Sequence, residues 1–233
     1  MADAALDRRA ALAELTAEIV ACRRCPRLVE WRERVAREKV ARFRDETYWG
    51  RPVPGFGDPA ARILIVGLAP AAHGGNRTGR VFTGDASGDF LFAAMYKVGL
   101  ANQPTGRRPD DGLALRGAYI AAAVRCAPPA NKPLPSERDN CAPFLRRELA
   151  LLADVRVIVP LGAYGWEATM RAIAGVTGVD ARPRPRFGHG AEARVGPYSV
   201  IGSYHPSQQN TFTKRLTPEM LVMVLSRARD LVR

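Results

Sequence analysis

The chain has 233 residues, 47% of them hydrophobic, an ordinary composition for a globular protein and length enough to bury a sizeable core. Lys and Arg number 35 against 23 Asp and Glu, for a formal charge of +12. No run approaches the ~18 apolar residues of a membrane helix. The N-terminal stretch "MADAALDRRAALAELTAEIVACRRC" carries acids and lacks the apolar centre of a signal peptide. Both observations argue for a soluble cytoplasmic chain without a membrane partner, its cysteines reduced unless a metal holds them. Arginine supplies nearly all the positive charge, since Lys stands only at 39, 97, 132 and 214. High-GC codon usage with a solvated surface is one explanation. A pI near 10.3 favours the other, an electrostatic footprint for nucleic acid.

Taken in chain order, helical patterns cover 8–21 and 28–41, followed by the turn-rich "GRPVPGFGDP" at 50–59. The first strand candidate, "RILIVGL" at 62–68, leads into a long small-residue segment, "GLAPAAHGGNRTGRVFTGD", and a helix at 87–99. Then come the strand "AYIAAAV" at 118–124 and a helix at 136–152 with Ser136 as its expected N-cap. The strand "VRVIVPLG" at 155–162 and a helix at 163–174 follow. After the Pro/Arg/Gly loop 178–197 come the strand "YSVIGS" at 198–203 and a helix at 217–232, started by Thr217 before Pro218. The strands read as continuous apolar runs, the pattern of a parallel sheet buried on both faces. Their alternation with helices predicts a three-layer α/β/α sandwich around a four-stranded parallel sheet. One domain spanning 1–233, with an N-terminal helical extension over about 1–50, is the simplest organisation.

Two unusual loops then meet at the carboxyl rim of the sheet, where open α/β folds bind ligands. One is 67–85, presenting His73, Asn76, Arg77, Arg80, Phe82 and Asp85; the other is "HPSQQN" at 205–210. A phosphate cradle on Gly74, Gly75 and Gly79 lacks any G-x-G-x-x-G or G-K-[ST] pattern. A metal site from His73, Asp85 and His205 would need ligands drawn from separate loops. A pocket for a planar group suits the residues better, with Phe82 stacking, Asn131 at an edge and His205 facing developing charge. Asp85 serves equally as an N-cap of the helix that follows, and Asn131 as a turn residue.

The chain holds four cysteines, Cys22 and Cys25 in "ACRRCP" and the distant Cys126 and Cys141. Buried thiols or a redox dithiol are possible readings. A close pair plus two more, with none left over, favours a four-thiolate centre, zinc or iron–sulfur.

"GLAPAAHGGNRTGRVFTGDASGDFL", "AAAVRCAPPANKPLPSE" and "HPSQQNTFTKRLTPEM" resemble the signature motifs of the family 5 (type b) uracil-DNA glycosylases. The resemblance runs from about Cys22 to the last helix. It implies a DNA repair enzyme that flips a deaminated base out of the duplex and hydrolyses its N-glycosidic bond, leaving an abasic site. Uracil, hypoxanthine and xanthine are the bases implied. Cys22, Cys25, Cys126 and Cys141 would hold a 4Fe–4S cluster, with zinc the lesser alternative. Gly67, Ala69, Ala71, Ala72, His73 and Phe82 would line the base pocket, the base lodging between Phe82 and His205. Asp85, Asn131 and His205 would carry catalysis, His205 as a neutral donor to the departing base and Asp85 holding water or facing the sugar cation. Ser207, Gln208, Gln209 and Asn210 would form a wedge beside Lys214 and Arg215 on the DNA.

One departure from the family pattern stands out, and one position separates the chain from the type a enzymes. Lys214 occupies the Gly position of the family's "T-G-R-L", and Leu68 follows Gly67 where the type a enzymes carry a catalytic acid. A monomer is expected, acting at the bacterial nucleoid. Two rival readings are a non-catalytic iron–sulfur DNA-binding module and an iron–sulfur redox protein.

Overall fold

The computed structural model describes residues 2–233, with side chains from Asp7 onward. A six-stranded sheet runs in the order β1-β3-β2-β4-β6-β5. Its four central strands, β3 (Ala118–Ala122), β2 (Ile63–Gly67), β4 (Val157–Pro160) and β6 (Tyr198–Ile201), are parallel. Each coincides with one of the apolar runs. The two short edge strands, β1 (Phe56–Gly57) and β5 (Glu192–Val195), are antiparallel additions inside segments that read as loops. β1 is two residues among Gly and Pro, and β5 is mostly exposed, so neither has the apolar run that marks a buried strand. The four-stranded parallel expectation therefore describes the centre of the sheet, and the antiparallel edges extend it.

Successive residues of each central strand face opposite layers. Ile63, Ile65, Val157 and Val159 pack with α4 (Ala86–Lys97) and α8 (Pro218–Asp230), against Leu91, Met95, Leu221 and Leu225. Leu64, Val66, Ile158 and Val200 pack on the other face, with Leu149 of α5 (Pro135–Leu151) and Trp166 and Ile173 of α6 (Gly162–Thr177). These are the three layers. Outside them, α1 (Ala2–Ala21) lies along α5, and α2 (Pro26–Glu38) touches the short α3 (Gly75–Thr78) of the rim.

Local chemistry sets the helix starts. Thr217 caps α8, its hydroxyl accepting from the Met220 N–H at 3.3 Å, with Pro218 in the first turn. At α5 the cap is Leu134 and not Ser136, because Pro135 takes the first helical position and Glu137 accepts from the Leu134 N–H at 2.7 Å. Glu137 also forms an ion pair with Arg27 of α2 at 2.7 Å.

Beneath the β3–α5 connection, Arg125 and Glu148 form an ion pair with both side chains essentially inaccessible. Removing one partner of such a pair leaves a charge stranded in the core. Glu148→Ala should therefore cost roughly 3–5 kcal/mol in denaturant unfolding. The double replacement Arg125→Met with Glu148→Leu should cost markedly less.

Candidate active site

β2 ends at Gly67, and the chain leaves it into the long rim segment. A Cβ at Gly67 would lie 2.7 Å from Phe82 Cε2, so the ring occupies the place a side chain would need. Phe82 itself sits in the left-handed region at φ 53, which costs a non-glycine residue of order 1–3 kcal/mol. The surrounding loop must over-determine that geometry, and its arginines do so. Arg77 donates to the His73 carbonyl at 2.8 Å and the Gly84 carbonyl at 2.9 Å, pairs with Glu46, and lies 3.9 Å over the Phe43 ring. Arg80 donates to Thr83 Oγ1 at 2.8 Å and binds both oxygens of Asp111 at 2.8 and 2.9 Å. Asn76 is buried too, its amide donating to the Arg32 carbonyl at 3.2 Å. Three of the polar residues that seemed to face a ligand are thus the loop's own scaffold.

Asp85 is the N-cap of α4, its Oδ1 accepting from the Gly88 N–H at 2.9 Å. Burial raises its carboxyl above the usual range, against the lowering effect of the Gly88 and Ser87 N–H groups. His205 follows β6 and stands beside Phe82, ring centroids 6.0 Å apart at a tilt of 32°. A base sandwiched between the two rings would need about 7 Å, twice the ~3.5 Å carbon contact distance. The rings therefore stand next to each other, too close to take a base between them.

Burial lowers the His205 imidazole from 6.5 to about 4. Gly162, at φ 82 where β4 passes into α6, lets the chain approach His205, since a Cβ there would lie 3.2 Å from the His205 Cβ. Asn210 fixes the other side, its amide donating to the His205 carbonyl at 2.9 Å. Asn210 closes the "HPSQQN" motif, where it was expected on the DNA, whereas Gly162 has no motif of its own. Gly162 could have been suspected only as a glycine ending a buried strand.

Ala69, Ala71, Ala72 and His73 stand partly buried along the same segment. His73 Nδ1 lies 3.1 Å from the Tyr48 hydroxyl, and its pKa is lowered by burial and by Arg77. Asn131 is not drawn into this constellation by any contact. It is exposed at φ 56 in a tight turn over Pro129–Asn131, a conformation Asn tolerates better than most side chains.

Ser207 caps a short helix, α7 (Gln208–Phe212), so the expected wedge loop is helical. Gln208 and Gln209 are exposed, and Phe212 projects with 77% of its surface accessible. That aromatic was absent from the expected wedge. Lys214 adopts φ 56, the left-handed turn that explains a preference for Gly there. Arg215 lies 4.7 Å over the Tyr204 ring.

Away from the rim, Cys25, Cys126 and Cys141 share an apolar cluster with Leu15, Ile19, Leu28, Val124 and Phe144, and Cys22, Ala69 and Tyr164 pack against it. Burial pushes the Cys126 thiol up to about 12 and raises that of Cys141. Arg32 Nη1 donates to Cys126 Sγ at 2.9 Å and Asn140 Nδ2 to Cys25 Sγ at 3.5 Å. The Tyr164 hydroxyl is buried there without a hydrogen-bond partner. Donors aimed at sulfur and an orphaned hydroxyl suit thiolates around an anionic group. Among the described residues no three His, Cys, Asp or Glu side chains are placed to hold a single metal ion. The tight array of a zinc site, with Zn–S bonds of about 2.3 Å, is thus not preformed.

An imidazole whose pKa burial lowers, an aromatic ring beside it and a carboxylate capping α4 thus meet at the carboxyl rim of a doubly wound α/β/α sheet. A family model, the uracil DNA glycosylase superfamily, matches residues 54–229. A type-5 uracil-DNA glycosylase of Thermus thermophilus is 52% identical over 227 residues, covering 97% of this chain and 99% of that protein. Type-5 uracil-DNA glycosylases of Mycobacterium bovis and Pyrobaculum aerophilum are 52% and 47% identical, covering 94% and 90% of this chain and 81% and 88% of their own. The chain belongs to the uracil-DNA glycosylase superfamily, within its type-5 branch.

Two outcomes test the site geometry. The His205 ring should titrate near pH 4 by NMR. Because its folded pKa lies below the unfolded value, the unfolded chain binds more protons in this window, and the His205 contribution to stability should rise between about pH 4 and 6.5. Gly162→Ala should keep the fold at a cost of about 1–2 kcal/mol, while shifting the His205 ring resonances. Unchanged resonances would detach Gly162 from the site.

Proposed function

We propose that this chain excises uracil, and also hypoxanthine and xanthine, from DNA by flipping the base and hydrolysing its N-glycosidic bond. The observation that carries this reading is His205, buried enough to stay neutral, at the edge of the Phe82 wall on the rim where the family's ligands would enter. Cleavage places negative charge on the departing base and positive charge on the sugar, so stabilisation of those charges is the main task. A neutral imidazole donates to the base oxygen without first being protonated by solvent. Asp85, with one oxygen engaged at the helix cap, turns its remaining capacity to the water or the sugar cation. Asn131, exposed in its tight turn, would reach the base or the water once DNA is bound. Ala69, Ala71 and Ala72 offer the base no polar side chain that would demand one pattern of exocyclic groups, which supports breadth among deaminated bases.

DNA would lie across the rim, with Ser207, Gln208, Gln209, Asn210, Lys214 and Arg215 on the strand. The exposed Phe212 ring is suited to filling the gap left by the flipped nucleotide, as apolar side chains do when they enter a base stack. Cys22, Cys25, Cys126 and Cys141 would hold a 4Fe–4S cluster. Such a cluster supplies a covalent tie between the N-terminal extension and the β3–α5 connection.

The test is excision from duplexes carrying a single uracil or hypoxanthine, read as strand breakage after alkali. His205→Ala should lose roughly 10²–10³-fold in rate while still binding the duplex. Phe212→Ala should slow excision from paired sites more than from single strands. Affinity should fall steeply with salt as counterions are released. Wild-type protein that binds the uracil duplex but leaves it intact to alkali would refute the enzymatic reading in favour of a binding module.

A further inference from the structure

Arg32 is among the largest fully buried side chains of the molecule, at 1% exposure, and no acidic side chain forms a salt bridge with it among the described residues. A buried cation needs compensation, and here it comes from the cysteines. Nη1 reaches Cys126 Sγ at 2.9 Å and Nη2 reaches the Cys22 carbonyl at 3.2 Å, so one guanidinium spans the two chain segments that carry the sulfurs. Its Nε is buried without a hydrogen-bond partner.

The same residue faces the rim through its backbone. The Arg32 carbonyl accepts from Asn76 Nδ2 at 3.2 Å, and Asn76 lies in α3, inside the loop that runs from Gly67 to Phe82. Asn76 is wholly buried, and its N–H binds the Ala71 carbonyl at 3.0 Å. Ala69, two residues after β2, packs directly against the cysteine cluster.

We propose that Arg32 is a positioning residue that ties the four-cysteine centre to the base-pocket loop, its guanidinium holding Cys126 and Cys22 while its carbonyl holds Asn76. This rests on the reading of the cysteines as a cluster site and gives that site a task, setting the position of α2 and through it the loop that aims Phe82. The cationic guanidinium on a ligand sulfur would also stabilise the electron-rich form of the cluster, since charge and hydrogen bonds at the sulfurs set its potential.

The experiment compares full-length wild type, Arg32→Gln, Arg32→Lys and Asn76→Ala, purified anaerobically and first checked for folding by circular dichroism. Iron and sulfide content, cluster lifetime under chelator, reduction potential and hydrogen exchange of amides 69–80 are then measured. Arg32→Gln should lose its cluster about 10–100-fold faster, the range for groups that orient metal ligands. It should also shift the potential downward and speed exchange across 69–80. Arg32→Lys should restore the potential but not the slow exchange, because one ammonium cannot reproduce the fork that bridges Cys126 and Cys22. Asn76→Ala, which cuts the link from the loop side, should speed loop exchange while leaving cluster lifetime near wild type. Were Arg32→Gln not to fold, Arg32→Lys and Asn76→Ala would carry the comparison. Wild type free of iron and sulfide would overturn the cluster reading alone. Wild-type exchange across 69–80 in the folded Arg32 and Asn76 variants would overturn the tie whatever the iron content.

Discussion

The molecule turns on a missing side chain. At the end of β2 the backbone of Gly67 leaves room for the Phe82 ring, and any Cβ would claim that space. A loop leaving the strand must therefore travel outward and come back to the same point. Its return brings Phe82 into a left-handed conformation and sets Asp85 where α4 begins. The wall of the pocket, the cap of the helix and the path of the loop are consequences of one close approach. Strain at Phe82 persists because the structure around it leaves no cheaper arrangement.

Arginine does two kinds of work here. A surplus of +12 argues for an anionic polymer, yet Arg32, Arg77, Arg80 and Arg125 are buried and bound internally. A planar guanidinium can bridge several oxygens in fixed directions, so each of the four joins segments distant in sequence. Arg77 and Arg80 hold the rim loop to residues 46 and 109–111, and Arg125 locks the approach to Cys126. Among the arginines of the two rim motifs, Arg215 is the one set out toward the rim, braced by the ring of Tyr204. Net charge is thus a poor map of where charge is presented.

The proposed chemistry and the proposed tie lie on opposite sides of the same loop. Toward the sheet stand Phe82 and His205; toward the N-terminal helices stand Asn76 and the cysteine cluster. A loop so held has little freedom to relax, which suits a site that acts by preorganised electrostatics. The exposed α7, with Phe212 at its end, has fewer such restraints. On the proposed function it is the part of the rim that would meet the duplex.

Residue order by itself determined the layers, the four central strands, the cap at Thr217 and the identity of both rim loops, because apolar periodicity and capping are local signals. It also marked Phe82, Asp85, His205 and the four cysteines by kind. Tertiary structure decided which way the side chains face. It turned Asn76, Arg77 and Arg80 inward, made a helix of the expected wedge with Phe212 exposed, added the antiparallel edges and brought Gly162 against His205. Each of those outcomes depends on partners many residues away, on burial that shifts a pKa or on space left by a missing Cβ. None of these leaves a trace in neighbouring residues.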